Sequence, residues 1–458
     1  MDLETARNLI EKHMRGHTDF VGKCMVAERY YRNDNDINHR QPKKDEEENL
    51  LHRACNKVPR NFHGFLVNQK ASYLFTYPPL FDVGNKAVND KISDILGDKY
   101  PKVAKNLCVN ASNYSISWLH YWVNDKGEFK YAIVDSKQVI PIHTQDLEEG
   151  LESVLRCYEV EEADGKYDIY EIWTDTQCET FRKKTSDGYD TIVPDTHHFP
   201  IFELGSIVGE SNIYNHGFGE VPFIEFRNNN IGTSDLVNIK PLIDAYDKVF
   251  TGFVDDIDDL QEIVLVLKGY GGTDLDTLLA DLKKYKTINT DEDGGVDALK
   301  IEIPVDAREK VLEIARKAIF EQGQGVDPDR EDFGNASGVA LQFIYSLLEL
   351  KAGLMETEFR EPFGKLVRAI CRHLGVTCGK IDQTWTRNAV RNDSELVTMC
   401  QASVGVVSKE TIVKNHPFVQ DPEKEIAQIK KEKQEEMDLY GEYNMHGNQM
   451  TGGGSGEE

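Results

Sequence analysis

The spacing of apolar residues changes along the chain, and each change predicts a different secondary structure. Up to about residue 120, apolar positions recur every three or four residues, as in LETARNLIEKHMRG, which predicts helices. A polar stretch between them, NDNDINHRQPKKDEEEN, predicts an exposed loop. From about 128 to 226 the period is two, in short runs rich in β-branched and aromatic residues. We therefore expect helices followed by an antiparallel β meander, in a predominantly helical α+β fold.

A long amphipathic helix is predicted from 234 to 260, with Thr233 or Ser234 as its N-cap. The second half of this helix is strongly acidic. Aspartate is a poor helix former and is unfavourable near the negative end of the helix dipole, so helix stability does not explain the cluster. The acidic residues are Asp255, Asp256, Asp258, Asp259 and Glu262.

Residues 263–304 predict a compact α/β insert, with a strand in EIVLVLKGY, a helix in DLDTLLADLKKY and a returning strand in ALKIEIP. A second helix follows over 305–322, in which Asp306 and Glu309 have capping-box spacing. Because two helices bracket the insert, we expect the insert at the tip of a helical hairpin.

The segment 321–338 is rich in Gly, Asp and Pro, which predicts a mobile loop. A helix of about two dozen residues should follow and break or kink at Pro362 before FGKLVRAICRHLG continues. Beyond Cys378 the pattern indicates a short strand in DQTWTRN and two helices that begin at Ser408 and at Asp421-Pro422. The chain should end in a charged helix and a Gly-rich disordered tail.

The composition narrows the function classes. The formal net charge of −26 argues against tight DNA binding, which needs basic surface to neutralise phosphates, although the same acidity also serves solubility. The negative net charge is nevertheless compatible with a surface past which DNA slides.

No apolar run reaches the ~18–20 residues of a membrane span. The start, MDLETARNLIEKHMRGHTDF, predicts a charged amphipathic helix rather than a signal peptide, so residence in a cytoplasm is expected. The eight cysteines contain no CxxC pair and indicate reduced thiols.

The motifs of common enzymes are missing from the sequence. There is no GxxxxGK[ST] motif, and GYGGTD at 269–274 lacks the pattern of a dinucleotide site. His13 and His17 have metal-ligand spacing but no third ligand nearby in sequence, so surface histidines are expected. The acidic cluster invites comparison with a two-metal nuclease site. Its carboxylates spread around the helix, however, and no basic residue or histidine accompanies them, so neither a metal nor a cofactor is expected.

Three longer runs are more specific than any of these motifs. They are GEVPFIEFRNNNIGTSDLVNIKPLIDAYDKVFTGFVDDIDDL, DFGNASGVALQFIYSLLELKAGLMETEFREPFGKLVRAI and VGVVSKETIVKNHPFVQDPEKEIAQIKKEK. In their content and order, the sequence resembles portal proteins of long-tailed phages, in the branch that infects Gram-positive bacteria. The resemblance covers roughly residues 50–435. Such proteins are structural and have no catalytic residues.

The resemblance implies a division of the chain into the parts of a portal subunit. Residues 1–233 and the helix 338–375 correspond to the wing, 234–262 and 305–322 to the two stem helices, and 263–304 to the clip. Residues 323–337 correspond to the tunnel loop, 376–435 to the crown, and 436–458 form a disordered tail. In the family, about twelve subunits form a ring around an axial channel. Such a ring closes when every subunit makes the same heterologous contact, in which two different surfaces meet, with the next subunit.

The resemblance also implies partners and site residues. Double-stranded DNA would pass through the channel without sequence-specific binding. Further partners would be the terminase large subunit, a head-completion adaptor and the major capsid and scaffolding proteins. The ring would occupy a capsid vertex of the virion after assembly in the host cytoplasm, and no membrane is involved. Acidic residues at 255, 256, 258, 259 and 262 would line the channel and repel DNA. The expected tunnel-loop residues are Gly325, Asp327, Asp329, Arg330, Glu331, Asp332 and Asn335, with movement allowed by Gly323, Gly325 and Gly334, and the expected partner contacts in the clip are Lys283, Lys284 and Lys286.

Two other classes of protein remain open from the residues alone. A nucleic-acid-processing enzyme would use the aspartate cluster and a divalent metal, and would be a monomer or dimer with nuclease activity. A different capsid or tail connector would form a ring without a lumen wide enough for duplex DNA. For the loop and the clip lysines, an ordinary loop and a solvated helix face are the alternatives.

Overall fold

The computed structural model describes residues 1–42, 54–145, 150–196, 199–203, 206–260, 264–268, 295–299, 304–329, 338–388, 393–419 and 422–447. The chain divides into two compact units. The first comprises Met1–Pro328 with Ser346–Asn388, and the second comprises Asp329–Tyr345 with Ala389–Glu458. Helices and antiparallel sheets alternate along the first unit, which agrees with an α+β fold. Within the described ranges, no helix combines the length and the apolar character that a membrane span requires.

Four helices open the first unit. They are α1 (Leu3–Tyr31), α2 (Phe62–Phe75), α3 (Lys86–Leu96) and α4 (Tyr100–Tyr114). At the starts of three of these helices, a side-chain oxygen accepts a hydrogen bond from a free backbone N–H group. Asp2 accepts from the N–H of Thr5 in α1, and the side chains of Asn61 and Asn85 cap α2 and α3 in the same way. The helices that the 3.6-residue period predicts in this region are therefore confirmed.

The antiparallel meander is confirmed in a sheet that contains β4 (Val139–His143), β5 (Leu151–Glu162), β6 (Gly165–Trp173), β7 (Gln177–Lys184) and β11 (Ile213–Asn215), with β8 (Val193–Pro194) beside β7. A second sheet has the order β12-β2-β3 and consists of Ile116–Val123 (β2), Phe129–Val134 (β3) and Phe223–Arg227 (β12). β2 begins inside the region that was predicted to be helical. The run FKYAIVDSKQVIPI also divides into two strands of different sheets, because a 3₁₀ turn at Ser136–Gln138 interrupts it. Phe199–Glu203 (β9) and Ser206–Ser211 (β10) form a separate hairpin.

Two helices form the hairpin that the sequence predicts. α5 extends from Lys240 to Leu260 and α6 from Val305 to Gln322, and the two pack against each other. We call α5 and α6 the stem helices, after the part to which the resemblance assigns them. α5 begins six residues later than predicted. The capping box at α6 is wrong, since Pro304 precedes the helix and no side chain caps it. Between the stem helices, Val264–Lys268 (β13) and Gly295–Leu299 (β14) pair as antiparallel strands, and the helix predicted between them lies outside the described residues.

The longest helix, α7 (Gly338–His373), continues through Pro362 instead of breaking there. Tertiary packing offsets the backbone hydrogen bond that proline removes, since Phe359 and Phe363 are fully buried on either side of it. Trp385 packs on Phe363, and β15 (Asp382–Thr384) pairs with β1 (Leu80–Asp82). Residues 376–388 thus belong to the first unit, whereas the resemblance to portal proteins implies that they are part of the crown.

The second unit contains α8 (Asp393–Ala402), α9 (Lys409–Asn415) and α10 (Pro422–Gly447). The predicted helix start at Ser408 is confirmed: Ser408 is the N-cap of α9, and its hydroxyl accepts from the backbone N–H of Thr411. α10 begins at the expected proline. It reaches Gly447, so the helix continues well beyond residue 436, where a disordered tail was expected.

Candidate functional site

The aspartates of α5 hold a distant part of the chain against the stem. Asp255 is buried, lies 2.6 Å from the guanidinium Nη1 of Arg40 and accepts a 2.7 Å hydrogen bond from the backbone N–H of Asn56. Asp258 is exposed on the helix and accepts a bond of 2.7 Å from the side-chain amide of Asn56. Two neighbouring acids of the predicted cluster therefore fix residues on both sides of the segment 41–55.

Asp256 joins the two stem helices, because its carboxylate pairs with the guanidinium of Arg308 on α6. The expectation that no basic residue accompanies the cluster is wrong: Arg40 and Arg308 lie far away in sequence, and only the fold brings them there. Asp259 lies in the last turn of α5 with its side chain outside the described part, and Glu262 lies wholly outside it. Within the described ranges, no group of three or more His, Cys, Asp or Glu side chains could hold a metal ion.

Asp247 continues the line of carboxylates toward the start of α5 and is buried. It accepts hydrogen bonds from the side-chain amide of Asn35 (2.6 Å) and the backbone N–H of Arg60 (3.0 Å). Burial outweighs these bonds, which favour the charged form, and raises the pKa of Asp247 to about 6.

The carboxylate of Asp36 has the opposite balance. Burial alone would raise its pKa, but ion pairs with Lys240 at 2.6 Å and Arg29 at 2.8 Å hold the pKa of Asp36 at about 2. Lys240 also pairs with Asp244 at 2.8 Å, one turn further along α5. Both ends of the segment that precedes α2 are thus tied to α5 by charged groups.

The first residues of the expected tunnel loop are fixed. A Cβ atom added at Gly323 or Gly325 would lie 2.6 or 2.1 Å from the side chain of Leu66, so these glycines permit close packing. The side-chain amide of Gln69 accepts from the N–H of Val326 at 2.8 Å and donates to its carbonyl at 3.0 Å. Gly323 and Gly325, where the sequence predicts mobility, are thus closely packed against Leu66 in this structure.

Arg316 and Asp327 extend this fixed base with a two-point ion pair, in which Nε–Oδ2 and Nη2–Oδ1 distances are 3.0 and 2.6 Å. Asp329 is exposed at the end of the described stretch. The remaining site predictions for the loop and the clip lie outside the described residues: Gly334, Arg330, Glu331, Asp332, Asn335, Lys283, Lys284 and Lys286.

A buried charged network connects the stem helices to the rest of the first unit. The Oδ2 atom of Asp235, just before α5, lies 2.7 Å from Nζ of Lys70 and 3.1 Å from Nζ of Lys351. Lys351 also donates to the carbonyl of Gly323 at 2.9 Å, at the end of α6. Asn228 completes the network, since its amide accepts from Lys70 at 2.9 Å and donates to Asp235 at 3.0 Å. We call Lys70, Asn228, Asp235 and Lys351 the buried network.

Opposing effects set the protonation of this network. Burial alone would raise the pKa of Asp235, but the two lysines hold it well below its usual range. Burial lowers the pKa of Lys351, and the attraction of Asp235 opposes that shift. Sequence reasoning missed the network, because its residues lie up to 281 residues apart in the sequence and follow no common spacing. The one available signal was a pair of lysines, Lys70 and Lys351, inside otherwise apolar helical patterns.

The family model for "Phage portal protein, SPP1 Gp6-like" matches residues 10–439, which include both stem helices, the loop and the long helix α7. The chain belongs to this phage portal protein family. It is 42% identical over 445 residues to the portal protein of Clostridium phage phiCD119, which covers 92% of this chain and 94% of the relative. It is 33% identical over 423 residues to the portal protein of Bacillus phage SPP1, with 88% and 80% covered. The resemblance seen in the sequence is thereby confirmed.

Among solved structures, the chain is similar to a chain in the neck of a native GTA particle computed with C12 symmetry. That match has a TM-score of 0.42 and 11% identity, and covers 77% of this chain and 88% of the other. A chain in the neck of an empty GTA particle computed with C6 symmetry gives a TM-score of 0.45 and 12% identity, with 78% and 90% covered.

Proposed function

We propose that this portal protein forms a ring of about twelve subunits at one vertex of a phage capsid, and that double-stranded DNA enters and leaves through the axial channel. The match of the portal family to residues 10–439 carries the proposal, because the matched range includes both stem helices. A helical hairpin repeated around an axis makes a tube, and α5 and α6 supply that hairpin.

The acidic end of α5 suits the wall of such a channel. Asp258 is exposed there, while Asp255 and Asp256 are neutralised by Arg40 and Arg308. We assign the paired acids to holding the stem together, and Asp258, with Asp259 and Glu262 beyond it, to the channel surface. Negative charge on that surface would repel the DNA polyanion and keep it from adhering during passage.

The loop and the clip would meet the moving partners. Residues 329–337 would reach the DNA from the fixed base at 323–328, with the predicted polar residues at their tip. The clip, 263–304, would contact the terminase large subunit or a head-completion adaptor through Lys283, Lys284 and Lys286. Major capsid and scaffolding proteins would surround the ring as it is built into the capsid in the host cytoplasm. The role is structural and involves no chemical step.

The experiment that tests this function is complementation of a phage whose own portal gene is inactivated. Plasmid expression of this chain together with its cognate capsid and terminase proteins should restore DNA that is protected from DNase inside capsids. A variant that lacks 263–304 should assemble but package no DNA. Capsids that fill equally well without the chain would contradict the proposal.

A further inference from the structure

The turn that ends α7 brings two cysteines together. The backbone N–H of Val376 donates to the carbonyl of Cys371 at 2.9 Å, inside a second bond from the N–H of Gly375 to the carbonyl of Arg372 at 3.0 Å. Gly375 has a φ of +68°, a left-handed conformation that glycine adopts without strain. These features make a Schellman turn, which ends the helix and folds the chain back along its last turn. Cys378 therefore returns to the side of Cys371.

The two thiols contact each other and differ in their exposure. Both cysteines are free, and the thiol of Cys371 donates a hydrogen bond to the sulfur of Cys378. Cys371 is buried, whereas Cys378 is half-buried. Burial, and next the neighbouring Cys378, raises the pKa of Cys371 to about 11. Cys371 therefore keeps its proton at neutral pH, and Cys378 is the thiol that a reagent meets first.

A surface cavity of ≈ 370 Å³ gives access to Cys378. The turn after α7 forms part of its wall, with Val376 and Thr377 beside Cys378, and Arg368 borders it from the helix. A volume in the range of small-molecule pockets, ~300–1,000 Å³, admits one half of a low-molecular-weight disulfide. Cys371 does not line the cavity and lies behind Cys378, so a reagent reaches it through Cys378.

We propose that Cys378 and Cys371 are a thiol–disulfide exchange site, which reacts with low-molecular-weight disulfides and closes into a bond between the two cysteines. The thiolate of Cys378 attacks one sulfur of the small disulfide, whose S–S bond breaks, and the other half leaves as a thiolate. The thiolate of Cys371 then attacks the sulfur of Cys378 and releases the second half. The protein gives up two protons and two electrons, and the small disulfide is reduced to two thiols.

The new bond would tie the chain that leaves α7 to the last turn of that helix. The two sulfurs must approach to about 2 Å. The chain after Cys378 has room for this movement, because Gly379 is exposed and a Cβ atom added there would meet no other atom within 4 Å. In a reducing compartment the pair stays as thiols, and in oxidising surroundings it closes.

Trypsin cleaves at Arg372, between the two cysteines, so peptide mapping detects the bond directly. Full-length protein is incubated with oxidised glutathione, its remaining thiols are blocked with iodoacetamide, and it is digested. The expected product is a disulfide-linked pair of the peptides 369–372 and 373–380, free of glutathione. Both peptides should lose their alkylated forms together.

Three variants separate the two steps. Cys371→Ala should retain glutathione on Cys378, because no second thiol is there to release it. Cys378→Ser should leave Cys371 as a free thiol, because Cys371 is buried. The matched control is Cys157→Ser, which removes another half-buried thiol and should form the linked peptides at the wild-type rate. Circular dichroism of the untreated proteins checks their folding, and the wild-type digest decides the matter if a variant does not fold.

Each contrary outcome overturns the exchange site. Wild-type peptides that are recovered with both cysteines alkylated would show that Cys378 does not react in the folded chain. Glutathione that stays on Cys378 of the wild type would show that Cys371 does not resolve the mixed disulfide. Linked peptides that form only in urea would assign the bond to the unfolded chain. None of these results depends on ring formation, so the proposed portal function is tested separately.

Discussion

The Nζ atom of Lys351, in the middle of α7, lies 3.1 Å from the Oδ2 atom of Asp235, five residues before α5 begins. The same ammonium group donates to the carbonyl of Gly323 at the end of α6. One side chain of the long helix therefore contacts both the entry to the first stem helix and the exit from the second. Together with Lys70, it makes a buried site with two cations and one anion.

This arrangement predicts unequal costs for removing its members. Asp235→Asn would leave two buried ammonium groups without their counter-ion and should lower the free energy of unfolding by ~3–5 kcal/mol. Lys351→Met would leave the Lys70–Asp235 pair intact and an unsatisfied carbonyl at Gly323, at a cost of ~1–3 kcal/mol. Urea unfolding followed by circular dichroism measures both.

The control for the buried network is Lys365→Ala, which removes an exposed pair with Glu361 on the same helix. Its effect should stay within ~0.5 kcal/mol. A cost for Asp235→Asn no larger than that of the control would show that the network does not stabilise the fold.

The raised pKa of Asp247 predicts that the contribution of this residue to the free energy of unfolding falls as the pH rises. Its pKa is about 6 in the folded chain against an ordinary value of 3.8, so between those values the folded state binds more protons than the unfolded state. The contribution of this group to stability therefore declines from about pH 4 to 6, and the cost of its buried charge is fully present above that interval. Asp247→Asn should remove this dependence.

The measurement for Asp247 is the urea midpoint of wild type and Asp247→Asn at a series of pH values. The advantage of the variant should grow from pH 4 to 6 and stay constant from 7 to 8. Asp36→Asn, at a group with a pKa of about 2, provides a comparison of opposite sign, since that ion pair stabilises above about pH 4 and is lost as the pH falls toward 2. A difference between wild type and Asp247→Asn that does not change with pH would refute the assignment.

Gly325 predicts a packing defect on substitution. In Gly325→Ala the new methyl group would lie 2.1 Å from Leu66, so the base of the loop must shift, at a cost of ~1–3 kcal/mol. At Gly379 an added Cβ atom would meet no other atom within 4 Å, so Gly379→Ala should be neutral or slightly stabilising. Hydrogen exchange of the amides at 323–328 should accelerate in the first variant only. If glycine served mobility instead, Gly325→Ala would leave both stability and exchange unchanged or would slow the exchange.

Asp258 predicts an electrostatic effect on DNA passage. Asp258→Lys should slow packaging by on the order of tenfold, because each ring would replace repulsive charges in the channel with DNA-binding ones. Asp258→Asn should have a smaller effect, and Glu161→Lys, the same charge change at an exposed position of β5, should have none. DNase-protected DNA at timed intervals is the readout. Equal packaging by Asp258→Lys and Glu161→Lys would remove Asp258 from the channel surface.

Elements with a clear local period were predictable from the sequence. The bounds of α6 match, and so do the meander and the first strand of the insert, β13. The returning strand was predicted in ALKIEIP, whereas β14 lies at Gly295–Leu299. The start of α5 was not predictable, because Leu236 and Ile239 continue the apolar pattern while Asp235 is held by Ser112 and two lysines in a turn. The partners of the acidic cluster were equally hidden. Arg40 and Asp255 are 215 residues apart, and only the packing of α5 against the preceding segment brings them together.

The central claim is that copies of this chain close into a ring around a channel. Electron microscopy of the purified protein, with native mass spectrometry of the same sample, tests it most directly. The account predicts rings of about twelve subunits with an axial hole wide enough for duplex DNA. A homogeneous monomer or dimer at every salt and protein concentration, or rings whose hole is too narrow for a duplex, would contradict it.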